Sequence, residues 1–407
     1  MSAPPALDLA QLLDAAPGAD PYPAYARLRA EAPVHRVALP DGSLIWLVLR
    51  EADVRAGLTD PRLSLNRRHS GAGYKGFSLP AALDANLLNI DPADHLRLRH
   101  LVAQGFTPRH VEDLRQRIQV TADRLADRLA AEAAPDLVGD FATPLPLTVI
   151  GDLLGVATAD RGDFSGWVTA MITPEHPGQI AEAVDSIHRF LLRLVATRRA
   201  ALQDDLLSAL IAARDEDDRL SEDELVSLAF LILMAGVENA QHVISGGLLA
   251  LLNHPGQFAE LRADHGLLPD AVEEILRFTV PGQMAIRRFP TEQIDIGGTA
   301  IPTGDTVMLC LASAHRDPNR YPEPDRFDIH RTDNAHLALG HGVHYCLGAP
   351  LARLQIQTAI STLMRRFPHL ALADPHEEPR WRSSWRSRSL AQLRVTVTGP
   401  PDGQLPG

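Results

Sequence analysis

The sequence predicts a mainly α fold in a single domain, with small β-sheets near its two ends. Three observations carry that expectation. Apolar residues recur at helical spacing over long stretches, whereas strand-like alternation is confined to two short regions. Neither an internal repeat nor a long low-complexity linker divides the 407 residues. A hydrophobic content of 45% is ample for one substantial core.

The elements follow in chain order. Val34 to Leu49 carries Trp46-Leu-Val-Leu after a turn at Pro40-Asp-Gly42, which is a hairpin pattern. Asp91 is a candidate N-cap with Pro92 at the first helical position, which sets His95 and Arg99 one turn apart on one face. Ala103 to Ala134 and Ile180 to Leu202 read as amphipathic helices with Arg and Asp outside. Leu228 to His242 is apolar nearly all round and therefore a buried helix. Glu238 and Asn239 interrupt it, and an acid inside such a helix is either satisfied by a partner or functional. Glu274 and Arg277 are three apart and share a helix face. Thr291 to Leu311 alternates strand-like pieces around Gly297-Gly298 and Pro302-Thr-Gly304. Gly71 to Leu87 and Thr173 to Gln179 read as loops. About 1–20 and 399–407 are expected to be flexible.

Composition excludes several function classes. Two cysteines, Cys310 and Cys346, argue against a disulfide scaffold. A net charge of -12 disfavours nonspecific nucleic-acid binding. No basic segment precedes an apolar one at the N-terminus, and no run reaches the roughly 18 apolar residues of a membrane span. The expectation is a soluble cytoplasmic protein with no nucleic-acid or membrane partner.

The most informative stretch is Leu339-Gly-His-Gly-Val-His-Tyr-Cys-Leu-Gly-Ala-Pro-Leu-Ala-Arg353. It sets Cys346 between a glycine-rich turn and a helix that starts near Pro350. Exposed amides at a helix start favour a thiolate, so this sulfur is a candidate metal ligand or nucleophile. An inert buried cysteine is the plain alternative.

That stretch resembles the haem-binding loop of the cytochrome P-450 (haem-thiolate monooxygenase) family, F-G-x-G-x-H-x-C-x-G, at every position but the first, where Leu339 replaces Phe. The resemblance implies that Cys346 is the axial ligand of the iron in haem b (iron protoporphyrin IX) and that His344 contacts a haem propionate. It also gives His95 and Arg99 a place as the H-x-x-x-R pair that binds propionates, with Arg288 as a further propionate ligand beside Arg287. Glu274 and Arg277 match the family's E-x-x-R, a buried pair completed by an arginine from a later Pro-rich stretch. Arg326 is the expected third member.

Ala235-Gly236-x-Glu238 resembles the family's distal A-G-x-(D/E)-T, with Asn239 in place of the threonine. The resemblance makes Glu238 and Asn239 the catalytic candidates for proton delivery. An amide hydrogen-bonds well but relays protons poorly at neutral pH. A substrate hydroxyl or water completes the relay, or the enzyme joins radicals without inserting oxygen.

The likeness covers nearly the whole chain and is closest to soluble actinobacterial members that tailor natural products. It implies one triangular, mainly helical domain with small β-sheets across 1–407. It also implies an external ferredoxin with its ferredoxin reductase, and a small-molecule or peptide natural-product substrate. Substrate contacts are expected from Gly71–Leu87, Ser165–Gln179, the distal helix and Thr279–Ala285. Hydroxylation or epoxidation is the leading expectation, oxidative coupling the second, and a noncatalytic haem or carrier-protein-binding module the third.

Overall fold

The computed structural model describes residues 7–8, 19–39, 41–71, 79–90, 92–172, 176, 178–215, 220–382 and 384–397. Two hydrophobic cores organise them. One is helical and the other lies under a small sheet.

The sheet side is built from β1 (Leu7–Asp8), β2 (Val34–Ala38) and β3 (Leu44–Val48), followed far later by β8 (Thr306–Leu309). β2 and β3 form the expected hairpin, with Val34 opposite Val48 and Ala38 opposite Leu44. β3 then pairs in parallel with β8, from Ile45 against Thr306 to Val48 against Leu309, giving the order β1-β2-β3-β8. Val37, Leu47, Val48, Val307 and Leu309 are fully buried, on both faces of the sheet. β1 lies inside the N-terminal stretch expected to be flexible. The rest of 1–18, all of 399–407, and Asp91 as a cap lie outside the described residues. Short pairs complete the β structure: β4 (Leu63–Ser64) with β5 (Phe289–Pro290), β6 (Ile294–Ile296) with β7 (Thr299–Ile301), and β9 (Ala371–Leu372) with β10 (Val395–Thr396). The β6–β7 turn holds Gly297 and Gly298 at φ of +58° and +81°, a region that favours glycine.

The helical side is arranged around Glu222–Leu252, a 31-residue helix running well beyond the expected Leu228–His242. Its start is a capping box in which the Ser221 hydroxyl accepts from the Glu224 N–H and the Glu224 carboxylate accepts from the Ser221 N–H. Leu225 to Leu233 are all buried, and each large apolar side chain there contributes about 1.5–3 kcal/mol. By length and composition this helix could cross a membrane, but 72% of its apolar window is buried inside the protein. It packs against Pro144–Leu153, Leu268–Thr279 and Ala349–Arg366. Gly236 and Gly247 permit close approaches, because a Cβ on Gly236 would sit 2.7 Å from Ile150 Cδ1 and one on Gly247 2.6 Å from Ile275 Cγ2. The helix carrying His95 and Arg99 is Pro92–Ala103. The expected stretch Ala103–Ala134 is broken at Thr107-Pro108 and Leu114 into Gln104–Phe106, Pro108–Asp113 and Arg115–Ala131, whereas Ile180–Leu202 is helical as Gln179–Ala200.

Candidate active site

The cysteine loop is held by its glycines. Gly340 and Gly342 take φ of +74° and +71°, and a Cβ on Gly342 would lie 2.7 Å from Thr59 Cγ2. The turn closes as the Cys346 N–H donates to Leu339 O at 2.8 Å and the Tyr345 N–H to Gly342 O at 3.0 Å. Gly348 is the N-cap residue of Ala349–Arg366, with Pro350 in its first turn. Burial pushes the Cys346 thiol above its usual range. The Gly348 N–H and the charges of Arg99 and Arg353 act the other way. A bound metal cation would reverse that balance outright. Cys310, fully buried and pushed up to about 12 by that burial, is a packing residue.

A network behind the loop fixes its position. Glu274 and Arg277 are fully buried and make two bonds, at 2.7 and 2.8 Å. Arg277 also donates to the carbonyls of His315 and Pro324, at 2.9 and 2.8 Å. The Leu337 N–H donates to His315 Nε2 at 2.8 Å, and the Gly340 N–H to Leu337 O, which carries the network into the cysteine loop.

The expected third member is corrected. Arg326 is half-exposed and pairs with Glu323 and Asp328, whereas Arg331, 9% exposed, lies 3.2 Å from Glu274 Oε2. Only the Arg326 carbonyl touches Arg277, so five further residues of chain are needed to bring a guanidinium back to the pair. A second clamp had no local signal in the sequence: Glu273 binds Arg353 at 2.6 and 2.8 Å and His336 at 3.2 Å. Burial raises the Glu273 carboxyl, but those partners outweigh it and bring it down to about 2.

A cavity of about 450 Å³ opens between the cysteine loop and the central helix Glu222–Leu252. Cys346, His344, His95, Arg99, Arg288 and Asn239 all line it. The His95 and His344 rings stack with centroids 4.2 Å apart, and Arg99 donates to Tyr345 O at 2.8 Å. Arg288, not Arg287, faces the cavity. Arg287 turns away to Asn89, at 2.6 Å. His344 falls to about 3 through burial and the charges of His95, Arg288 and Arg99, and burial lowers Arg288 to about 10. Four basic groups thus crowd one rim, and among the described lining residues there is no carboxylate. His95 Nδ1 and Arg288 Nε are buried without a partner. Such a rim fits an anion with several acceptor oxygens.

Apart from His341, Tyr345 and Gln355, the rest of the lining is apolar, including Leu87, Leu228, Leu231, Ile232, Val243 and Met284. Of the expected substrate regions, the central helix, Leu87 at the end of Gly71–Leu87, and Pro281, Gly282, Met284 and Ala285 contribute. Ser165–Gln179 does not: none of its described residues lines this cavity, because Ser165 and Thr169 face two others. Residues 72–78, 173–175 and 177 lie outside the described residues.

Glu238 is not on the main cavity. It lines a separate space of about 30 Å³ with Ser165, Thr169, Gln241, His242, Arg382 and Ser389. Burial raises its carboxyl to about 7 against the opposing charge of Arg382, and burial lowers His242 to about 3. Asn239, one residue on, turns about 100° around the helix to face the main cavity, and its amide N–H donates weakly to Ala235 O at 3.4 Å.

The cytochrome P-450 family profile matches residues 152–393. The cytochrome P-450 monooxygenase PikC of Streptomyces venezuelae is 47% identical over 398 residues, 97% of this chain and 95% of that protein. This chain belongs to the cytochrome P-450 family. Its fold agrees with the tirandamycin C-bound P-450 monooxygenase TamI at a TM-score of 0.90 and 40% identity, over 96% of this chain and 100% of that one. The P-450 enzyme CxnD, for C–S bond formation in chuangxinmycin biosynthesis, superposes at 0.88 with 38% identity, over 97% and 98%. The protein is therefore a cytochrome P-450 monooxygenase, and membership implies a haem cofactor, redox partners and a small-molecule substrate. The cavity fits that cofactor: one thiol, a rim of basic side chains with the buried His95 Nδ1 and Arg288 Nε unpartnered, and mostly apolar walls.

Proposed function

We propose that this enzyme hydroxylates or epoxidises a natural product, using haem b, dioxygen and electrons from a ferredoxin and its ferredoxin reductase in the cytoplasm. The observation that carries the reading is the single cavity shared by Cys346, the basic rim and Asn239. TamI, with tirandamycin C as its ligand, supports the substrate class.

In this reading Cys346 would ligate the iron, while His95, Arg99, Arg288 and His344 would hold the propionates. Arginine suits that task because its fork binds carboxylates in pairs. Thiolate-ligated haem supplies dioxygen reduction and O–O cleavage. The protein's part is to seat, to exclude water and to manage protons. Leu228, Leu231, Ile232 and Val243 give the substrate an apolar wall that keeps water away from the reacting carbon. With its N–H turned to Ala235 O, the Asn239 amide keeps an oxygen that accepts from a substrate hydroxyl or a water. Glu238, near half-protonated at neutral pH, is the proton reservoir on the other side of the helix.

Oxidative coupling is the second reading. Asn239 in place of threonine favours it, and the kinship with CxnD supports it. Turnover with a ferredoxin system under isotopically heavy dioxygen separates the two. Products that gain the heavy atom support oxygenation. Products that lose hydrogens without gaining oxygen would reverse the order.

A further inference from the structure

The central helix stands between Glu238 and the main cavity, so any proton that Glu238 gives up must be replaced from the far side. Among the described residues, that side is well defined. Glu238 shares its cavity of about 30 Å³ with the hydroxyls of Ser165, Thr169 and Ser389, the Gln241 amide, His242 and Arg382. Ser165 and Thr169 also line an open groove of about 440 Å³ formed with Gly139, Thr143, Gly162 and Gly166. The inner space offers these polar partners beside Val168 and Val237, and its volume is enough for one water. His242 Nδ1 and Arg382 Nε are buried there without a partner, and His242 Nδ1 stands 3.9 Å from Glu238 Oε1, a span that one intervening water joins better than a direct bond.

We propose that protons reach Glu238 from the Gly162–Gly166 groove through the Ser165 and Thr169 hydroxyls, with His242 and Arg382 positioning the carboxyl group. The inference rests on the reading of Glu238 as a proton donor and adds its source. Each hydroxyl passes one proton inward and takes one from the groove side, so nothing is oxidised or reduced. The groups facing Glu238 are His242 and Gln241 from its own helix, Ser165 and Thr169 from Arg161–Ile172, and Arg382 and Ser389 from the C-terminal segment. Arg382 carries the positive charge among them. It holds the carboxyl group back from an even higher range, while His242 stays neutral and offers its ring nitrogens to water.

Gly166 makes a clean test possible. No atom outside its immediate neighbours lies within 4 Å of a Cβ built there, so Gly166→Leu plugs the groove without a clash at that atom. Thr169→Val removes one hydroxyl at constant shape. Both would be compared with wild type and Glu238→Gln as full-length, haem-loaded protein. The carboxylic C=O infrared band missing in Glu238→Gln reports Glu238, and its shift on mixing with heavy water gives the proton-exchange rate.

The expected result is exchange slowed by roughly tenfold or more in Gly166→Leu and Thr169→Val, with a larger solvent isotope effect on turnover and an unchanged substrate-binding spectrum. Arg382→Gln should raise the pH at which the band is half lost. Wild-type exchange rates in both Gly166→Leu and Thr169→Val would overturn the route, and an unchanged midpoint in Arg382→Gln would remove its positioning role. If Glu238→Gln keeps wild-type product yield per reductant, the donor reading fails. The exchange rates would then still judge the route on their own.

Discussion

Glu238 and Asn239 are neighbours in the chain but face different cavities, and that separation shapes the chemistry at the residue scale. If the Asn239 amide limits proton transfer, Asn239→Thr raises product formed per reductant consumed. Unchanged coupling would show that substrate or water completes the relay. Glu238 has a pH signature of its own. The unfolded chain ionises it near 4.5 and the native chain near 7, so the native state holds the extra proton between those values. Its stabilising contribution is complete below 4.5 and is lost as pH rises through about 7. Glu238→Gln therefore flattens the thermal unfolding midpoint over that window, leaving the variant roughly a few degrees better than wild type on the alkaline side. His242 acts in the opposite direction. Its pKa falls from 6.5 to about 3, so its contribution is lost as pH drops through that range. Melting curves across pH for wild type, Glu238→Gln and His242→Leu check both signs.

The central helix, the cysteine loop and the Glu274–Arg277 helix differ in how far the sequence disclosed them. The loop was legible because its left-handed glycines and its helix start leave few alternatives at those positions. The central helix was legible as buried but not in extent, although Ser221 and Glu224 carry the capping-box spacing that marks its start. Arg331 was not legible. The stretch after Tyr321 holds Arg326 and Arg331, and only the folded path decides which guanidinium returns to Glu274. The Glu273–Arg353 clamp spans eighty positions and leaves no local trace. Variants separate the two arginines. Arg331→Ala should strip a cation from a buried carboxylate and impair haem retention, as should Glu274→Ala and Arg277→Ala, at about 3–5 kcal/mol for a broken buried pair. Arg326→Ala should stay within about 0.5 kcal/mol, as expected of a surface position. The ratio of haem to protein absorbance and the unfolding midpoint together read the outcome. Equal losses in both arginine variants would undo the correction.

Across the whole molecule, the mainly α fold with small sheets was readable from periodicity and from the family motifs. The parallel pairing of β3 with β8 was not, since it joins segments some 260 positions apart that carry no pairing signal. That long-range pairing has a consequence for the site. Arg288 bridges to Val307 of β8, so the sheet that begins near the N-terminus also positions a basic group on the rim of the cavity. The helical core brings the other wall, with Gly236 allowing the central helix close to Pro144–Leu153. Cys346 lies where the two halves meet on one cavity, in the position proposed for the iron ligand. The most direct test is the absorption spectrum of the dithionite-reduced protein under carbon monoxide, recorded for wild type and Cys346→Ser. A red-shifted, thiolate-type Soret band is expected in the wild type and should disappear in the variant. A histidine-type band in the wild type, or the same thiolate-type band in Cys346→Ser, would contradict that ligation.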